Sequence, residues 1–312
     1  MLNNEIITKR LALIKYLFKL GVEQSFQSET IASFSILLFH DSIEMFLKLL
    51  AEHKDLKSDS FSFVDYWKNI PTLTLKESMS SLNARRVNIK HKGLLPSKSD
   101  IEISRVNATD FYEQNTLLHF GVDFNDISLF SLVQYNTTRK YLEDAQKDIE
   151  ENRLKDCIEQ VSIAFDDLLS TYESSKSSHF GSSPFYFGKD LTFLSSFHMG
   201  ISKSSSDKSE RKLAEFVDKV KDSLDGIQKA VKILSFGIDY KRFTKFKLLT
   251  PVVTRTMGGR YVAEVWDKKK WNKENCQYCI DFVLDCALKL QEFDFDIGEL
   301  IETKSATIII EN

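Results

Sequence analysis

The sequence predicts a mainly α-helical protein with a small β-hairpin near its C-terminus, and three observations carry that prediction. Only 4 Pro and 11 Gly punctuate 312 residues, which favours long uninterrupted elements over a loop-rich sandwich or barrel. Apolar residues recur at helical spacing through most of the chain, and the period changes to two only after Thr250. Hydrophobic residues at 42% and charged residues at 28% suffice for a sizeable core, in one large domain or two ordinary ones. The 24 Phe fit a helical core packed with rings.

In chain order, 6–20 keeps a helical beat, and so does 29–53. In the second stretch Ile31, Phe34, Leu38, Ile43, Phe46, Leu47 and Leu50 make a wide apolar face, the mark of a helix inside a bundle. A polar piece leads to 61–69 and Pro71, and 74–92 reads as a helix stopped by Gly93 and Pro96. Residues 107–120 and 126–150 read as further helices and complete a first domain, 1–150.

The second domain, 151–312, opens with a stripe of Leu154, Ile158, Val161, Phe165, Leu168 and Leu169 over 152–173. Thirteen serines among the thirty-six residues of 174–209 mark a connection around one short apolar piece. A long helix follows over 210–236, with Leu213, Phe216, Val217, Val220, Leu224, Ile227, Val231 and Leu234 in step. Val252, Thr254 and Thr256 alternate with Val253 and Arg255, and 261–266 alternates again across Gly258 and Gly259. That pattern predicts a hairpin with a two-residue turn over 250–266. A last helix is expected over 272–293 and an edge strand at 306–310.

The 42 basic and 45 acidic residues leave a net charge of -3, which excludes a protein that grips nucleic acid through bulk charge; DNA is not an expected partner. Cys157, Cys276, Cys279 and Cys286 form no disulfide framework, and the Cys276–Cys279 pair has no second pair to complete a zinc site. Their spacing suits small core residues on one helix face. No signal peptide and no membrane-length apolar run is visible, so the expected compartment is the cytoplasm. Phosphate-loop, dinucleotide, zinc-protease, nucleophile-elbow and calcium-loop motifs are all missing, and no cofactor is expected.

One segment stands apart. SLNARRVNIKHKGLLP (81–96) carries Arg85, Arg86, Lys90, His91 and Lys92 without an acid. Arg86 and His91 form R-x4-H, and Arg85 and His91 form R-x5-H; at such spacings on a helix a guanidinium and an imidazole are expected to reach one anion. The pairing suits phosphodiester cleavage. Arg matches phosphate oxygens and stabilises developing charge, while His titrates near pH ~6.5 and can move a proton at a ribose hydroxyl or a leaving oxygen. No metal is required, and the segment supplies none of the carboxylates that a magnesium site would use. The plain alternative is a basic helix end favoured by the helix dipole.

The segment resembles the HEPN superfamily of all-helical domains, whose ribonuclease members carry R-x4-6-H near a helix end. Leu82 and Asn83 stand before the Arg pair, Lys90-His91-Lys92-Gly93 closes the helix, and 33–53 resembles the apolar second helix with its mid-helix acid, Glu44. The resemblance covers about 6–150. It implies metal-independent RNA cleavage at a dimer interface where two motifs meet, in a bacterial defence or toxin system, with Arg86 and His91 as the catalytic pair. Arg85 is the alternative Arg, and Arg85, Lys90 and Lys92 would hold the flanking RNA backbone. Val87 follows Arg86 where active members carry a polar residue, and Gly93 stands where nucleotide-modified members carry Tyr. A second reading is therefore a non-nuclease effector or scaffold subunit that binds a partner protein, and with it a nucleotide or NAD.

Other features are weaker. Glu44 either orients an Arg across the bundle or pairs with a Lys, and His40 with Asp41 reads as a polar pair in the core. YKRFTKFK (240–247) interleaves rings with cations, as a nucleic-acid surface would or as the snorkelling face of an amphipathic helix would. Lys268–Lys270 with Trp271 reads as a solvated turn.

Overall fold

The chain is mainly helical, with one antiparallel two-stranded hairpin, in a computed structural model that describes residues 3–177, 183–188, 191, 194–256, 260–264, 271–292 and 294. Its residues gather into two units, 1–132 and 133–312. The division falls earlier than the boundary expected at 150, because 126–135 carries only a 3-10 turn, Leu129–Leu132, and no α-helix.

In the first unit, α1 (Asn4–Ser25) starts where the Asn3 side chain accepts the Glu5 N–H at 3.1 Å. The helix expected over 29–53 is two helices, α2 (Glu29–Ser33) and α3 (Ser35–His53), separated at Phe34. Ile31 and Phe34 are therefore exposed and do not join the apolar face assigned to them. A short turn of helix follows, α4 (Tyr66–Asn69), then α5 (Lys76–Lys92) and α6 (Lys98–Phe120). Helix α6 begins well before 107 because Ser97 and Asp100 form a capping box. The Asp100 N–H donates to Ser97 Oγ at 3.1 Å, and the Ser97 N–H donates to Asp100 Oδ2 at 3.2 Å.

Helix α3 is the centre of this unit and packs against α1, α5 and α6. Ile36, Phe39, Ile43, Phe46, Leu47 and Leu50 are fully buried on it. The core is ring-rich: Phe46 meets Phe111, Tyr112 and Phe120 edge-on, and Tyr112 stacks on Phe124 with centroids 4.4 Å apart. Gly21 lets α1 and α3 approach, since a Cβ there would lie 2.9 Å from the Phe39 ring. Gly21→Ala is thus expected to lower the stability of this unit by about 1–3 kcal/mol through overpacking, against the gain in helix propensity of ~1 kcal/mol. Urea unfolding would register it, and a raised midpoint would mean that the ring gives way.

The second unit holds α7 (Asn136–Glu150), α8 (Leu154–Ser175), α9 (Lys208–Ser235), α10 (Tyr240–Leu249), β1 (Val252–Arg255), β2 (Tyr261–Glu264) and α11 (Lys273–Glu292). Asn152, in the left-handed region at φ 61°, parts α7 from α8, and the two pack on each other and on α11. Phe165, Phe246 and Phe282 form its ring cluster, with centroids 4.8–5.5 Å apart. The hairpin pairs Val252 with Glu264 and Arg255 with Tyr261. The Gly258–Gly259 turn, 265–270 and the strand expected at 306–310 lie outside the described residues. All four cysteines are free and buried, Cys157 on α8 and the other three on α11. Among the described residues, no helix is long and apolar enough to cross a membrane.

One titration in the first unit sets a pH dependence. His119 on α6 is pushed down to about 4, by burial first and by the Lys54 charge second. The unfolded chain therefore binds the proton between about pH 6.5 and 4 while the folded chain does not, so stability falls as pH drops through that window. His40, lowered mainly by burial, acts with the same sign. Unfolding midpoints measured across this range should be less pH-sensitive in His119→Gln than in the wild type, and parallel profiles would refute the assignment.

Candidate functional site

Helix α5 shapes the candidate site. It ends in a Schellman arrangement, with Gly93 at φ 64°, its N–H donating to Ile89 O at 3.3 Å and the Leu94 N–H donating to Asn88 O at 3.2 Å. The basic last turn of Lys90, His91 and Lys92 sits where the helix dipole favours cations. On the inner side, Met79, Leu82 and Ile89 are buried, and Arg86 occupies the same stripe by its spacing. It is half-buried, and its Nε is buried without a hydrogen-bond partner among the described residues.

The polar groups of α3 face this stripe. His40 is buried, with Nε2 3.1 Å from Asn83 Oδ1 of α5 and its ring stacked on Phe63 at 4.4 Å. Its Nδ1 lies 3.4 Å from Asp41 Oδ1 and 3.9 Å from Glu44 Oε2. Burial holds the His40 pKa low, the Asp41 contact opposes that shift, and the Arg86 charge reinforces it. Glu44 is lowered chiefly by its ion pair with Lys48 at 2.8 Å, while burial opposes and His40 and Arg86 add smaller pulls. Of the two roles open to Glu44, the direct ion pair is with a Lys. Arg86 acts on it only through space.

The two candidate arginines part company here. Arg85 donates its Nε–H to Asp100 Oδ1 at 3.0 Å, tying α5 to the capped start of α6, although its Nη1, like Arg86 Nε, is buried without a hydrogen-bond partner among the described residues. With the Ser97 hydroxyl and Arg85 as donors, Asp100 stays ionised below the usual carboxylate range. Arg86 has no comparable tie. Lys90, His91 and Lys92 are exposed. Five positions along an α-helix rotate a side chain by about 140°, so Arg86 points inward while His91 points to solvent. The two side chains thus leave α5 at different angles, further apart than neighbouring positions on one face.

In the sequence His40 reads as a core residue, and Asn83 has no role beyond the motif. The available signal was paired spacing: His40 stands four residues before Glu44, and Asn83 three before Arg86, so each pair shares a helix face. The donor atoms of His40, Asp41 and Glu44 lie within 4.8 Å of one another. Lys48 on Glu44 and the nearby Arg86 charge make this a poor setting for a divalent cation.

The other candidates resolve differently. In α10, Phe243 and Phe246 are buried in the core, so those rings are not free to stack on bases. Arg242 pairs with Asp285 at 2.7 Å, and Lys245 lies 3.8 Å from the Tyr278 ring centroid; the helix behaves as an amphipathic element with snorkelling cations. Trp271 donates its indole N–H to Leu249 O at 2.8 Å, and Lys268–Lys270 lie outside the described residues. Comparison of the chain with family models, characterised proteins and solved structures finds no match.

Proposed function

We propose that the first unit is a metal-independent endoribonuclease in which Arg86 binds the scissile phosphate and His91 handles the proton. The observation that supports this reading is the setting of Arg86. A guanidinium in an apolar stripe with an unpartnered Nε is costly to hold, and a phosphate oxygen offsets that cost with a charge-assisted hydrogen bond. In the reaction His91 takes the proton of a ribose 2′-OH, O2′ attacks phosphorus, and the P–O5′ bond breaks as the protonated imidazole returns that proton to the leaving 5′-oxygen. A 2′,3′-cyclic phosphate and a 5′-OH result. Lys90 and Lys92, exposed beside His91, contact neighbouring phosphates; Arg85, tied to Asp100, holds α5 to α6 instead.

Because Arg86 and His91 diverge on α5, the reading needs a second copy whose motif completes the site, the arrangement that the HEPN resemblance implies. The same divergence favours a second reading, an effector or scaffold subunit that offers its basic helix end to a partner, a nucleotide or NAD. Incubation with labelled tRNA and mixed RNA in EDTA, with NAD as a parallel substrate, separates the two. Cleavage with cyclic phosphate ends is expected. Intact RNA after incubation with folded, dimeric protein would overturn the nuclease reading.

A further inference from the structure

Helix α9 carries an unbroken alternation of three- and four-residue steps: Leu213, Val217, Val220, Leu224, Ile227, Val231 and Leu234. That is the seam of a coiled coil, with Val217, Leu224 and Val231 at a and Leu213, Val220, Ile227 and Leu234 at d. An ordinary surface helix buries such a seam against its own domain. Here much of the seam stays open: Leu213 is 50% exposed, Leu224 39%, Ile227 59% and Leu234 58%, while Val217, Val220 and Val231 are half-buried.

The contacts that hold α9 to its own unit lie elsewhere on its circumference. Ala214 and Ile233 are its buried residues. Asp218 accepts the Ser196 N–H at 2.7 Å and the Ser196 hydroxyl at 2.9 Å, and Lys232 pairs with Glu173 at 2.8 Å. By the same register these four stand at e, c, b and b, outside the a and d seam.

We propose that the α9 seam is a homodimer interface, a two-stranded coiled coil with a second copy of this chain. A helix of the same period is what such a seam fits, and the flanking positions allow that helix to be its own. The e and g residues are Ala214, Lys221, Gln228 and Ser235, and Phe216, Ser223 and Ala230. With one charge among them, two copies meet without like-charge repulsion. Parallel pairing sets Phe216 of one copy beside Lys221 of the other, covering a ring that is 64% exposed in the single chain. Val217 and Val231 at a with Leu213 and Leu234 at the outer d positions favour two parallel strands, while the central Leu224 at a and Ile227 at d do not. From Leu213 to Leu234 the seam runs about 32 Å of the 28-residue helix. The proposal is independent of the RNA reading.

Sedimentation of the full chain at up to about 100 μM, a range that detects weak dimers, tests it. The wild type is expected to be dimeric. Ile227→Asp, at an exposed site, should weaken the dimer by about 100-fold or more with helical circular dichroism intact, and Asp222→Asn, off the seam, should leave it unchanged. Val220→Cys should give a disulfide-linked dimer under mild oxidation, whereas the wild-type thiols, all buried, should not. A monomeric wild type, or an Ile227→Asp variant as dimeric as the wild type, overturns the proposal; in the second case the two copies meet through another face.

Discussion

His91→Ala is expected to slow RNA cleavage by about 100- to 10,000-fold, the range in which a positioned general acid or base acts. Thermal unfolding should not move, because His91 is exposed on the last turn of α5 and surface changes of this kind fall within about 0.5 kcal/mol. The companion substitution gives the sharper result. Arg86→Met keeps the length and the apolar stem while removing a half-buried charge whose Nε has no partner. Cleavage should fall at least as far, yet the first unit should be no less stable, since the change removes a half-buried charge whose Nε has no hydrogen-bond partner to lose. Glu44 keeps Lys48 and His40 keeps Asn83 in that variant. A structural arginine would give the opposite result, with stability lost alongside activity. Arg85→Met supplies that contrast: it breaks the bond to Asp100 at the start of α6 and should lower stability.

The helices were legible where a periodic apolar face is long. The 210–236 prediction matches α9 within about two residues, and 272–293 matches α11 as closely. Boundaries set by polar capping were harder. The Ser97–Asp100 box that starts α6 precedes its apolar stretch, and the break at Phe34 has neither Gly nor Pro to announce it. Period also says nothing about which partner covers a face. In α3 the apolar stripe is buried; in α9 an equally regular stripe leaves Leu213, Leu224, Ile227 and Leu234 exposed. At the site, the basic end of α5 was visible as a charge pattern. The difference between Arg85 and Arg86 was not, because it depends on Asp100 and His40, fourteen residues or more away in sequence and adjacent only after packing.

Phe46→Ala is expected to destabilise the first unit by about 3–5 kcal/mol, the usual range for removing a buried ring. The side chain is fully buried on α3, and its ring meets Phe111 at 5.4 Å, Phe120 at 5.5 Å and Tyr112 at 5.7 Å, all edge-on. Those three neighbours sit on α6, whose helical backbone limits how far they can collapse into the void. A marginally stable domain has about 5–15 kcal/mol in all, so this one change consumes a large share of it. Urea unfolding of the variant, with hydrogen exchange followed in peptides of 35–53, should show an earlier transition and faster exchange through α3. Phe26→Ala, at a ring 69% exposed, should change little beyond its contact with Arg105. The effect reaches the candidate site as well, since the same helix presents His40 and Glu44 to Arg86. Partial loss of α3 packing should therefore lower RNA cleavage before global unfolding is complete. A loss of stability under about 1 kcal/mol would mean that the core around Phe46 closes on the void, and would remove α3 as the rigid support of the site.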